Sequence, residues 1–145
     1  MSRDLEWLLI RKYNSNVVKR LPEGPLFSKE AANLFNIHSH KYSGLANSKT
    51  ISIEEYKGVI QIVTRKPKAS PHAVSSGVAR STLRNRTGSR RALGATSKLF
   101  KSGYRPDLRR AALARTSALL ASQKEKKPRP AKKPRGKKAI AAASA

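Results

Sequence analysis

The sequence predicts an α+β fold: a small antiparallel sheet with an N-terminal helix, followed by a basic extended connector, two C-terminal helices and a disordered basic tail. Three observations carry that expectation. Ile51 and Ile53 alternate with Ser52 and Glu54, and Tyr56-Lys57-Gly58 then turns the chain into Val59-Ile60-Gln61-Ile62-Val63, the pattern of a β-hairpin. Residues 104–123, YRPDLRRAALARTSALLASQ, have Pro106 and Asp107 suited to a helix start and Ala and Leu through the middle. The charge is also split. Residues 1–56 hold eight Lys/Arg against six acids, a balance of +2, whereas residues 57–145 hold twenty-four against Asp107 and Glu125, a balance of +22.

In chain order, Asp4 is placed to start a short helix through LEWLLIRKY. Leu5, Leu8 and Leu9 share one side and Trp7 and Ile10 another, so this element requires cover on more than one face; a short strand is the competing assignment. Asn14-Ser15-Asn16 breaks the pattern, a strand is predicted from Val17 to Leu21, and Pro22-Glu23-Gly24-Pro25 forms a turn. Residues 31–36 read as a helical turn, and the hairpin pairs Thr50–Glu54 with Val59–Val63. These pieces make a small α+β domain over residues 1–66, marginal alone because about 65 residues bury only about 60% of their unfolded surface.

Residues 67–88 are rich in Ser, Pro, Gly and Arg and poor in large apolar groups, which predicts a basic extended connector. Ser89 is positioned to cap a helix through Phe100, with Leu93 and Phe100 seven apart on one side. Gly94 costs that helix about 1 kcal/mol relative to Ala, and Gly103 stops it. Residues 89–123 thus hold two basic helices, and residues 124–145 a low-complexity Lys/Pro/Ala tail that has too little apolar material for a core. In the second helix Arg109, Arg110 and Arg115 fall on three different faces at about 100° per residue. That pattern suits burial in folded RNA, with Leu108, Leu113, Leu119 and Leu120 docking on the first domain or a neighbour. A load of +22 repels itself, so the expectation is that this half needs a polyanion to become compact.

The same features exclude other classes. There is no cysteine, hence no disulfide, thiolate metal site or cysteine nucleophile. No apolar run approaches the ~18–20 residues of a membrane span, and no secretory signal is present, so a soluble intracellular protein is expected and Asn85-Arg86-Thr87 is a chance glycosylation pattern. His38 and His40 would share a strand face, but no third metal ligand lies near. Adjacent Glu54 and Glu55 would point to opposite faces, a poor acid/base pair. Phosphate-loop and nucleophile-elbow motifs are missing, so no catalytic residue, metal, cofactor or small-molecule substrate is expected.

What remains is cationic chemistry without a recognised nucleic-acid module. From residue 80 to 115 arginine dominates, with Arg80, Arg84, Arg86, Arg90, Arg91, Arg105, Arg109, Arg110 and Arg115 against Lys98 and Lys101. Guanidinium groups dock phosphate bidentately and stack on bases. With Lys66, Lys68 and Tyr104, whose ring is flanked by arginine, these are the candidate RNA-binding residues. The tail is lysine-rich instead, and Lys132–Lys138 also forms a cluster of the nuclear-import kind.

The segments LEWLLIRK, NSNVVKR, FSKEAANLFNIHSHKYSGLANSKTISI and YRPDLRRAALARTSALL resemble the eukaryote-specific large-subunit ribosomal protein twenty-eight (L-twenty-eight-e) family. The similarity runs from about Leu5 to Gln123, and SGLANSKT and YRPDLRRAALAR are its most specific parts. The resemblance implies a small α+β domain followed by helices on large-subunit ribosomal RNA, beside neighbouring large-subunit ribosomal proteins, without catalysis or cofactor. It implies a cytoplasmic, ribosomal location with assembly in the nucleus and nucleolus. It does not identify individual RNA contacts. Three rivals are a ribosome-assembly factor family with a related N-terminal domain, a linker-histone-like chromatin protein and an enzyme acting on nucleic acid. The first carries cysteines and an acidic extension, the second a winged-helix pattern and the third more acids, all missing here.

Overall fold

The computed structural model describes residues 2–18, 22–70, 72–124, 128 and 136. In order these form α1 (Arg3–Ile10), β1 (Val17–Val18), β2 (Phe27–Ser28), β3 (Ile51–Tyr56), β4 (Val59–Arg65), β5 (Val78–Leu83), α2 (Ser89–Lys101), a 3-10 turn (Pro106–Leu108) and α3 (Arg109–Ser122). β1 and β2 make a two-stranded antiparallel ribbon, and β3-β4-β5 a three-stranded antiparallel sheet. The class is α+β, as the alternation and helix signals predict.

The hairpin closes through Lys57 and Gly58, both at positive φ (51° and 75°). Two left-handed residues in a two-residue loop match the twist of the strands they join, and Gly58 adopts this region without a Cβ penalty. The register sets Ile53 against Ile62 and Ile60 against Leu83, so one sheet face is aliphatic. α2 and α3 pack on each other, and α3 lies along β3 and β4. The shared core contains Ile51, Ile53, Ile60, Ile62 and Leu83 from the sheet and Ala92, Phe100, Leu108, Ala112 and Leu120 from the helical part.

That core joins the basic half to the first domain. Leu108 and Leu120 dock on the chain's own sheet, as one of the two docking alternatives has it, and Leu119 packs at the margin. The buried stripe of α2 is Ala92, Thr96 and Phe100, spaced four apart, and Leu93 is only half-buried. Thr96 and Thr116 face one another between the helices; each hydroxyl donates to the carbonyl four residues earlier, at 3.0 and 2.9 Å. Small side chains at the crossing let the helices approach, while Arg90, Arg91 and Arg110 stay on the outside.

The reading of residues 67–88 as an extended connector is corrected over Val78–Leu83, which form β5. Only Val78 and Leu83 of that strand are large apolar residues. An edge strand needs little more, because backbone pairing with β4 from Arg65–Val78 to Ile60–Leu83 supplies its stability. Residues 31–36 make turns rather than a helical turn, with Asn36 left-handed at φ 58°. The predicted Val17–Leu21 strand is seen as Val17–Val18, residues 19–21 lying outside the described residues. The tail, including Lys132–Lys138, is outside them too, apart from Lys124, Pro128 and Gly136.

A candidate nucleic-acid interface

Arg84, Arg86, Arg90, Arg91, Lys98 and Lys101 follow one path across the end of β5 and along α2, and all are exposed. Burying Ala92, Thr96 and Phe100 turns the opposite side of α2 outward, and at about 100° per residue Arg90, Arg91, Lys98 and Lys101 fall on that side. Around the start of the helix, Arg86, Gly88, Ser89, Arg90 and Arg91 border an open concavity. Arg80 stands on the sheet face away from the helices, because its register partner Val63 neighbours the inward Ile62.

On α3 the buried stripe is Ala111, Ala112, Thr116 and Leu120. Arg110 points away from it, while at ~100° per residue Arg109 and Arg115 fall within its angular span, about 120° from each other. Arg109 and Arg110 are exposed and Arg115 half-buried. Arg109 reaches back to α2, where Nη2 donates to Ser97 Oγ at 3.4 Å. Lys66 and Lys68, just after β4, are exposed, and Lys66 Nζ donates to the Ser76 carbonyl at 2.9 Å. Among the described residues no carboxylate is paired with any of these cations. The fold therefore keeps their positive charge available to an external anion.

Two sequence candidates have other work. The Tyr104 ring packs against the core, and its hydroxyl donates to the Arg65 carbonyl at 2.6 Å and the Thr50 carbonyl at 3.2 Å. Burial pushes that hydroxyl above its ordinary pKa of 10.0, although the two backbone bonds and the nearby Arg105 and Arg65 oppose the shift. Its hydroxyl is thus engaged inside the protein, while the ring is half-buried and Lys49 Nζ lies 5.9 Å from its centroid. Arg105 is a brace. Its guanidinium, 15% exposed, donates to the carbonyls of Lys49 (3.0 Å) and Lys41 (2.8 Å) and to both carboxylate oxygens of Asp107 (3.0 and 2.8 Å). The Arg105 fork holds the Asp107 carboxyl below its ordinary 3.8, against a smaller effect of burial. Arg105 itself sits at φ 49°, the left-handed turn that feeds the 3-10 start of α3.

The brace closes on a loop held by its own side-chain hydrogen bonds. Buried Glu30 accepts from Gly44 N (2.7 Å), Ser43 Oγ (3.0 Å) and Asn14 Nδ2 (3.4 Å). Asn47 Nδ2 donates to the carbonyls of His40 and Ser43 at 2.7 and 2.8 Å. SGLANSKT and YRPD, distant in sequence, therefore form one clasp. His38 and His40 are likewise structural: Trp7 tilts on His38 at 4.9 Å and stacks on His40 at 5.7 Å, and His38 Nε2 lies 2.8 Å from the Arg11 carbonyl. Among the described residues there is no group of three His, Cys, Asp or Glu side chains arranged to hold a metal ion.

Sequence reasoning passes over Lys57. It is exposed at the hairpin tip, beside the end of α3 where Gln123 Nε2 donates to the Gly58 carbonyl at 3.3 Å. Its signal is faint, since a lysine in a tight turn is common on any surface.

Comparison with known proteins agrees with this layout. The chain is 34% identical over 138 residues to the large ribosomal subunit protein eL28 of Dictyostelium discoideum, covering 92% of this chain and 99% of that one. It is 31% identical over 131 residues to the protein of that name in Schizosaccharomyces pombe, covering 88% and 96%. The Caenorhabditis elegans protein of that name is 29% identical over 126 residues, covering 87% and 94%. Residues 5–122, which hold the sheet, the clasp and both basic helices, match the Ribosomal L28e protein family, and the chain belongs to that family.

Proposed function

We propose that this chain works as a brace in the large subunit of the cytoplasmic ribosome, binding and bridging ribosomal RNA helices while it lies beside neighbouring ribosomal proteins. It is a structural component rather than an enzyme. Neither the assembly-factor reading nor the chromatin reading has support in the family match. The observation that carries the bridging role is the unneutralised arginine and lysine path of β5, α2 and α3, held on a core that the sheet and both helices share.

Mechanistically, side chains carried on packed helices and a sheet lose less freedom on contacting phosphate than those of an open chain. Arg84, Arg86, Arg90 and Arg91 present guanidinium forks toward one side, and Arg80, Arg109, Arg110 and Arg115 toward others, so strands arriving from several directions are neutralised together. Lys66, Lys68, Lys98 and Lys101 add point charges. The tail supplies looser neutralisation and, through Lys132–Lys138, entry to the nucleus for assembly.

Salt titration of the purified chain on its RNA tests this. With about ten cations engaged, log affinity falls against log salt with a slope near −7 to −9. A slope near −2 contradicts broad phosphate engagement.

A further inference from the structure

At the hairpin end of the sheet, the face away from the helices carries an aromatic ring beside a small recess. Ile53, Ile60 and Leu83 face the helices, so Tyr56, Val59 and Thr82 face the other way. Tyr56 and Val59 are directly paired across the strands. Next to them Val59, Thr82, Arg84, Asn85 and Arg86 border a shallow recess whose lining is chiefly apolar. Tyr56 is 55% exposed, and its hydroxyl, unlike that of Tyr104, has no hydrogen-bond partner among the described residues. Lys57 Nζ lies 5.3 Å from the ring centroid. An exposed cation–π contact is weaker than base–aromatic stacking, so a base displaces this lysine and frees its ammonium.

On the reading of this chain as an RNA-binding component, we infer that an unpaired nucleobase of RNA seats in this recess. It stacks over Val59 between the Tyr56 ring and the Arg84 guanidinium, with the Asn85 amide at its polar edge and Arg86 and Lys57 beside its phosphate. A bare phosphate gains nothing from an aliphatic floor. An apolar side chain from a protein would strip water from Arg84 and Arg86 without pairing them. A nucleobase joins an apolar face, a polar edge and an anionic tether, and unpaired bases stack on aromatic rings and guanidinium planes alike. Nearby acids leave the cations free. Glu54 shares the face of Tyr56 but accepts from Ser52 Oγ, and Glu55, paired with Ile60, faces the helix side. Among the described residues no carboxylate pairs with Lys57, Arg84 or Arg86. The sheet thereby reads an unstacked base while the helices hold phosphates.

The test places a photo-crosslinking amino acid at Thr82, or separately at Arg90, in the full chain expressed as the sole copy, and analyses purified large subunits. Thr82 is expected to join an unpaired RNA nucleotide, mapped by reverse transcription, and Arg90 to join RNA as well. On the RNA fragment mapped from Thr82, Tyr56→Leu in the full chain should weaken binding about tenfold, and Tyr56→Phe should stay within about twofold of the parent. The salt slope should be the same in all three, because stacking releases no counterions. A base-paired nucleotide, a protein or no adduct at Thr82, with Arg90 still on RNA, overturns the nucleobase site and leaves RNA bridging standing. Equal binding by Tyr56→Leu and the parent overturns it too. Loss of the Arg90 adduct alone refutes bridging through α2 and not the nucleobase site. Absence of the chain from the subunits refutes both.

Discussion

The hydroxyl of Tyr104 donates to the carbonyl of Arg65 at 2.6 Å, joining the turn before α3 to the last residue of β4 across 39 positions of the chain. Together with the bond to Thr50 it closes the end of the β3–β4 hairpin under the helices. Tyr104→Phe keeps the ring and removes both bonds, while Arg65 N still donates to the Thr50 carbonyl at 3.2 Å, so unfolding free energy in urea should fall by about 0.5–1.5 kcal/mol.

The same phenol sets an alkaline limit. In the unfolded chain it ionises at its ordinary value of 10.0, and in the folded chain burial keeps it protonated to higher pH. Its contribution is full below pH 10 and is lost as pH rises through the folded value. The decline in melting temperature above pH 10 should be shallower in Tyr104→Phe than in the parent; equal slopes would contradict burial of the hydroxyl.

Arg105 and Arg90 separate bracing from RNA binding. Arg105→Ala removes donors to two carbonyls and one carboxylate, and should lower stability by about 1.5–3 kcal/mol, with little change in RNA affinity of the folded fraction. Arg90→Glu with Arg91→Glu should do the reverse, weakening RNA binding and leaving the melting temperature nearly unchanged. Because Asp107 is held below 3.8, its contribution is present above that pH and drains away as pH falls through the lowered value. In Arg105→Ala that acid-side loss should shrink.

Gly44 has no room for a side chain. A Cβ there would lie 2.6 Å from the Cβ of Ala32. Gly44→Ala should cost about 1–3 kcal/mol, and adding Ala32→Gly should recover part of it. Additive losses in this double-mutant cycle would place the strain elsewhere.

Glu30 is surrounded by donors only: Gly44 N, Ser43 Oγ and Asn14 Nδ2. An amide in its place turns one acceptor into a donor facing donors. Glu30→Gln should therefore destabilise by about 1–3 kcal/mol, read by thermal unfolding, whereas exposed Glu55→Gln should change little.

Local signals made much of this fold legible. Ile51 to Val63 shows its strand period and its turn in the sequence, and Pro106, Asp107 and Gly103 mark where helices begin and end. β5 was hidden because VARSTL lacks apolar alternation and is held by backbone bonds to β4. Among the cations, exposed Arg84 to Lys101 follow from residue type, but the same residue type misassigns Arg105. Which guanidinium faces water and which faces a carbonyl is settled by a loop 56 residues away.

By itself, then, the sequence determined the class, the hairpin, the helix ends and the uneven charge, all properties of short windows or of composition. Tertiary structure alone decided that the basic helices share the sheet's core, that Tyr104 and Arg105 serve the clasp, and that Trp7 anchors α1 on His38 and His40. Those outcomes depend on contacts between distant segments, whose free energy comes from pairing buried polar groups and apolar faces that no local window contains.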